Sequence, residues 1–196
     1  MDETREMLAA TADRLLAPHC TPAKLLEAEG GIWPALLWAA LEQAGLTRAL
    51  LPATLGGADL DPEQALWLVR IAGRHAAPVP LAETLMAGWL LAGAGLAVPD
   101  GPLTILPFQP ADYPALVRAG VGWRLTGLAR RVPWGRHAIA AAALLEVEGQ
   151  VSVALVPATG WSAVPGANLA LEPRDDLTLD AQLESEAVAP APGGID

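Results

Sequence analysis

The sequence predicts an α+β fold: an N-terminal helical domain, then an antiparallel, β-barrel-like domain. Three observations lead there. Apolar residues recur at helical spacing through the first hundred residues, with capping and stop residues between the runs. The second half instead alternates apolar and polar positions and carries a hairpin signal. The change falls at Val98 to Pro102, a loop with proline and glycine. This places a helical domain at 1–100, a β-domain at 101–190 and a flexible tail at 191–196, inside the Pro/Gly-rich stretch Ala187 to Asp196.

The helices are read in order. Thr4 to Ala17 brings Met7, Leu8, Ala12, Leu15 and Leu16 near one face. Ile32 to Ala44 is a second helix, with Pro34 in its first turn and Gly45 as its stop. Asp61-Pro62-Glu63-Gln64 is a helix start: Asp61 accepts from the third amide, Pro62 suits the first helical position, and Gln64 reaches back. That helix runs to about Ala76, and a fourth spans Leu81 to Ala94 after the linker prolines Pro78 and Pro80.

The strands are shorter. Leu103 to Phe108 is an apolar run cut by prolines. Gly122 to Thr126 sets Trp123 and Leu125 on one face, Arg124 and Thr126 on the other. Ile139 to Val147 is nearly all apolar, as a strand covered on both faces would be. Glu148-Gly149-Gln150 then reads as a turn and Val151 to Val156 as the returning strand. Further strands are expected at Trp161 to Val164, Leu169 to Glu172 and Leu177 to Leu179.

Composition excludes several classes. The 196 residues carry 22 acidic and 12 basic side chains, a formal charge of -10, which argues against nucleic-acid binding. Lys24 is the only lysine, so no polybasic patch for anionic membranes exists. The uncharged run Thr84 to Pro99 is shorter than the roughly 20 residues of a membrane helix and is broken by glycines. With one cysteine, Cys20, no internal disulfide or cysteine zinc site can form. His19, His75 and His137 lack ligand spacing, so no metal site is expected. No signal peptide is visible at the acidic N-terminus, and the expected compartment is the cytoplasm.

One stretch stands apart chemically. Between Asp112 and Glu146 there is no carboxylate, yet Arg118, Arg124, Arg130, Arg131 and Arg136 fall there. Arginine's planar fork suits phosphate, so an anion site is one reading. A sheet edge blunted by charge, or a solvated turn, is the other. Gly56-Gly57 reads as a turn needing positive φ rather than a phosphate loop. Glu83, Glu146 and Glu148 read as cap or turn carboxylates, and no catalytic residue is assigned.

Three segments, in this order, resemble the acyl-CoA dehydrogenase family of flavoproteins. Trp33-Pro34-Ala35-Leu36 through Ala44-Gly45-Leu46, then Leu51-Pro52-Ala53-Thr54-Leu55-Gly56-Gly57, is similar to the family's second helix and its "V-P-E-x-x-G-G" turn, with Ala53 in place of glutamate. Pro62 to His75 and Pro78 to Leu91 resemble the helix pair completing the family's N-terminal domain. Trp123-Arg124-Leu125-Thr126-Gly127, then Val132-Pro133-Trp134, resembles a strand and turn of its middle β-domain. The form is that of divergent bacterial members, including those acting on steroid-derived CoA thioesters.

The resemblance implies FAD as cofactor, an acyl-CoA as substrate, and α,β-desaturation as the reaction, with a role in lipid or steroid catabolism. It implies a homo- or hetero-oligomer. It places Pro107, Arg131, Val132, Pro133 and Trp134 beside the cofactor. By the same comparison the C-terminal helical bundle, which carries the family's catalytic base, is absent, so the site is incomplete without a further domain or partner chain. Where the family has a Gly-Ser loop, this chain has Thr104-Ile105-Leu106-Pro107-Phe108-Gln109-Pro110. Where it has a flavin-lining "W-I-T", this chain has Arg131, Val132 and Pro133, and proline offers no N–H. Two alternatives follow: a non-catalytic subunit or scaffold of a related heteromer, and an anion- or CoA-binding module.

Overall fold

In the computed structural model, the described residues are 3–107 and 114–193, with side chains from Glu6 onward. Five α-helices precede eight strands: α1 (Glu3–Leu16), α2 (Pro22–Glu29), α3 (Ala35–Gln43), α4 (Pro62–Arg74), α5 (Leu81–Gly93), then β1 (Leu103–Leu106), β2 (Ala115–Ala119), β3 (Gly122–Pro133), β4 (Ala140–Val147), β5 (Gln150–Pro157), β6 (Trp161–Val164), β7 (Arg174–Leu183) and β8 (Val188–Pro190). The α+β class is as expected. The strands do not close into a barrel. They form two four-stranded sheets, ordered β1-β4-β5-β8 and β2-β3-β7-β6, antiparallel except for the parallel pair β1–β4.

By contacts the chain divides at Leu85/Met86, inside α5. The composition change at Val98 to Pro102 lies later, because the second half of α5 packs with strands. Ala87, Leu90 and Leu91 share a buried cluster with Leu103, Ala140, Ala142 and Val153.

In the helical unit, Ala12 and Leu16 of α1, Leu37, Trp38 and Leu41 of α3, and Leu68, Ile71 and Ala72 of α4 form one core. Met7, placed near the apolar face by periodicity, is exposed. The Asp61 capping box forms as expected: its carboxylate accepts from Gln64 N at 2.8 Å, and Gln64 Oε1 accepts from Asp61 N at 3.1 Å. His75 Nε2 meets Asp13 Oδ1 at 2.8 Å, linking the end of α4 to α1. Helix α2 is an addition; it buries no residue, so it leaves no apolar stripe, and Pro22 in its first turn was its signal.

Gly45 ends α3 in the left-handed region at φ 70°. Gly56 has φ 74°, as a turn reading requires. Gly57 is needed for a different reason: a Cβ there would overlap the Leu51 carbonyl oxygen.

In the second unit, β4 has both faces buried. Ala140 and Ala142 face the α5 cluster, while Ala141, Ala143 and Leu145 face the second sheet. This is why its sequence is a continuous apolar run rather than an alternating one. The β4–β5 hairpin turns at Glu148 (φ 52°) and Gly149 (φ 79°), both left-handed as a two-residue hairpin turn requires. Strand β3 extends to Pro133, beyond the expected Thr126. Leu169 to Glu172 is not a strand; Asn168 organises it as a loop, its Oδ1 accepting from Ala170 N at 2.9 Å and Glu172 N at 3.0 Å. Within the Pro/Gly-rich stretch Ala187 to Asp196, Val188–Pro190 pairs with β5; of the expected tail 191–196, residues 194–196 lie outside the described set.

Removing the cap tests the helix assignment. Asp61→Ala loses the bond to Gln64 N and is expected to lower stability by about 1 kcal/mol, read from the urea midpoint at unchanged m-value.

Candidate functional site

Strand β7 alternates strictly, burying Asp175, Leu177, Leu179, Ala181 and Leu183. Alternation therefore carries a carboxylate into the space between the sheets, where Asp175 is 0% exposed. Its partner is Arg136, in the turn after β3. Arg136 Nε donates at 2.9 and 3.1 Å, Nη2 at 2.5 Å and the backbone N at 2.7 Å. Gly166 N donates to the same carboxylate at 3.1 Å, and Arg136 Nη2 also donates to Gly166 O at 2.5 Å. This bidentate clamp was missed in the sequence. The signal was an aspartate at an inward position of an alternating strand.

The arginine-rich stretch is thus opposed by the acids of β7, the strand paired with β3. Arg124 Nη2 meets Asp180 Oδ1 at 2.9 Å. Arg131 N donates to Asp176 Oδ1 at 2.9 Å, where a register shift between Ala129 and Val132 interrupts the ladder. Arg131 sits there at φ 55°. Arg118 lies over the Trp123 ring, 4.1 Å from its centroid. The arginines spread along the sheet, and Arg136 is committed to Asp175.

The five residues expected beside a cofactor are placed as follows. Val132 is fully buried in the core between the sheets, and Trp134 is 6% exposed. Trp134 N donates to Pro173 O at 3.1 Å, and its carbonyl accepts from His137 N and Ala138 N. Pro133 is half-buried, and its carbonyl accepts from the buried Thr104 hydroxyl at 2.5 Å, tying β1 to β3. Arg131 is exposed. Pro107 ends the described part of its segment; Phe108, Gln109 and Pro110 lie outside the described residues. Arg131 to Trp134 are contiguous; the Arg131 and Trp134 amides are bonded within the chain, and Pro133 has no N–H. They fit a packing turn better than a flavin's hydrogen-bonding edge.

His137 stands beside this turn, its ring 5.9 Å from Trp134. Burial pushes its pKa below 6.5, the Arg136 charge adds to this, and Asp175 partly offsets it. Elsewhere, Trp67 and Trp89 are exposed, and Trp67 carries Arg70 over its ring. In the helical unit, a cleft of about 370 Å³ is lined by Leu8, Thr11, Leu46 and Leu60 among others, with no titratable group. Among the described residues no cluster of metal-ligating side chains occurs, and no helix is long and apolar enough to cross a membrane.

Comparison with known proteins bears directly on this arrangement. Residues 2–97 match the family described as acyl-CoA dehydrogenase, N-terminal domain. The N-terminal part of the chain thus resembles the N-terminal domain of an acyl-CoA dehydrogenase. The ChsE4-ChsE5 complex from Mycobacterium tuberculosis superposes with a TM-score of 0.85 at 23% identity, over 97% of this chain and 58% of that one. The Tcur3481-Tcur3483 steroid ACAD gives 0.79 at 29% identity, over 98% of this chain and 57% of that one. A glutaryl-CoA dehydrogenase from Mycobacterium smegmatis in complex with FADH2 gives 0.74 at 16% identity, over 97% and 56%. The acyl-CoA dehydrogenase resemblance therefore holds across the N-terminal and middle parts. The chain spans little more than half the length of these relatives. No curated protein sequence matches.

Two measurements test the clamp. Asp175→Ala strands the Arg136 guanidinium and is expected to cost about 3–5 kcal/mol, measured by chemical denaturation. The depressed pKa of His137 means the unfolded chain takes up that proton first. Stability should therefore fall as pH drops below 6.5. His137→Gln should flatten that slope in thermal melts between pH 7.5 and 5.

Proposed function

We propose that this chain supplies the N-terminal and middle domains of an acyl-CoA dehydrogenase-type assembly acting on an acyl-CoA thioester. The assembly's reaction is FAD-linked α,β-desaturation. The observation that carries this reading is the ChsE4-ChsE5 match, which covers 97% of this chain but only 58% of that one. The remaining part, a helical bundle with the proton-abstracting carboxylate, comes from a further segment or from another chain. A heteromer is favoured because that relative is itself a complex, and a steroid-derived or other bulky acyl group because another is a steroid ACAD. The setting is the cytoplasm.

Within such an assembly the role of this chain is structural. No residue is assigned as base, and the turn at Arg131 to Trp134 is packed rather than open. The anion-module reading loses its strongest arginine, since Arg136 is taken up by Asp175.

Co-expression with full-length acyl-CoA dehydrogenase-type chains tests the assembly. A stable complex whose flavin bleaches on adding acyl-CoA, with an artificial electron acceptor completing turnover, is the expected result. A chain that stays alone in light scattering with every such partner would rule out the heteromeric form of the reading.

A further inference from the structure

We infer that FAD in this assembly is not held by these two domains: their Arg131–Trp134 turn is a packing plug, and the flavin's polar contacts are made by the rest of the assembly. The inference rests on the assembly reading above and deepens it.

The reasoning counts donors. A flavin ring and its diphosphate are recognised by N–H and O–H groups or by cations that remain free to point at them. In this turn Pro133 has no N–H. The Arg131 amide is bonded to Asp176 Oδ1, and the Trp134 amide to Pro173 O. The nearest hydroxyl, Thr104 Oγ1, is 0% exposed and donates to Pro133 O. The Val132 side chain is fully buried and Trp134 nearly so, which leaves no ring face for stacking. The next cation along the chain, Arg136, is bound by Asp175 and Gly166.

Electrostatics point the same way. On the strand paired with β3, Asp176 and Asp180 lie on the face opposite the buried Asp175, so a diphosphate along that face would meet carboxylates already serving Arg131 N and Arg124. Arg131, the cationic residue of the turn, is exposed, as is Arg130 beside it.

Two experiments decide the matter. In the first, the chain alone is titrated with FAD and flavin fluorescence is followed. No saturable quenching is expected, and saturable binding would overturn the inference. In the second, the co-expressed complex is photolabelled with 8-azido-FAD and the labelled peptides are mapped, with Arg131→Ala beside the unaltered chain. Label confined to the rest of the assembly, with flavin content unchanged by Arg131→Ala, supports the inference. Label on the peptide spanning 130–136, or flavin lost with Arg131→Ala, overturns it. If no complex forms, the assembly reading fails, while the titration still decides whether this chain binds FAD.

Discussion

The buried ion pair between Asp175 and Arg136 organises the second unit. A carboxylate with no solvent exposure is costly, by several kcal/mol, unless charge and hydrogen bonds replace its water. Here a guanidinium fork and two backbone amides do so. The pair ties the turn after β3 to the loop at Gly166 and the start of β7, 30 and 39 residues further along the chain. By contrast the exposed pair Arg124–Asp180 contributes little, because solvent screens it.

Around that clamp the packing is layered. The sheet containing β4 is covered by the second half of α5 on one face and by the other sheet on its opposite face. Small alanines along β4 let both neighbours approach. Thr104 adds a polar tie between the sheets by donating to the Pro133 carbonyl. The turn at Val132 to Trp134 is pulled inward by these contacts and by Trp134 N bonding to Pro173 O.

That inward pull has a chemical consequence. Groups that a flavoenzyme would leave available for its cofactor are here spent on holding the sheets together. The fold is shared with the relatives across both parts of the chain, while at this turn the Arg131 and Trp134 amides and the Thr104 hydroxyl are bonded within the chain. Fold and chemistry thus separate cleanly at the level of individual amides and hydroxyls, as expected when function resides in sites rather than in architecture.

The local features were legible in the sequence by itself: the Asp61 capping box, the Gly45 stop, the Glu148-Gly149 hairpin turn, and the helical and stranded halves. Each depends on residues within a few positions of one another, so short-range propensity decides it. The edge strand β2 left a weak signal because it is largely exposed, and α2 because it buries nothing. The arginine-rich stretch was visible as charge, but its meaning was not. Only the tertiary structure brought Asp175, Asp176 and Asp180 against it, 39 residues separating Arg136 from Asp175. Periodicity can place a side chain on a face. It cannot say which distant strand will neutralise it, because strand pairing is decided by the burial of the whole sheet.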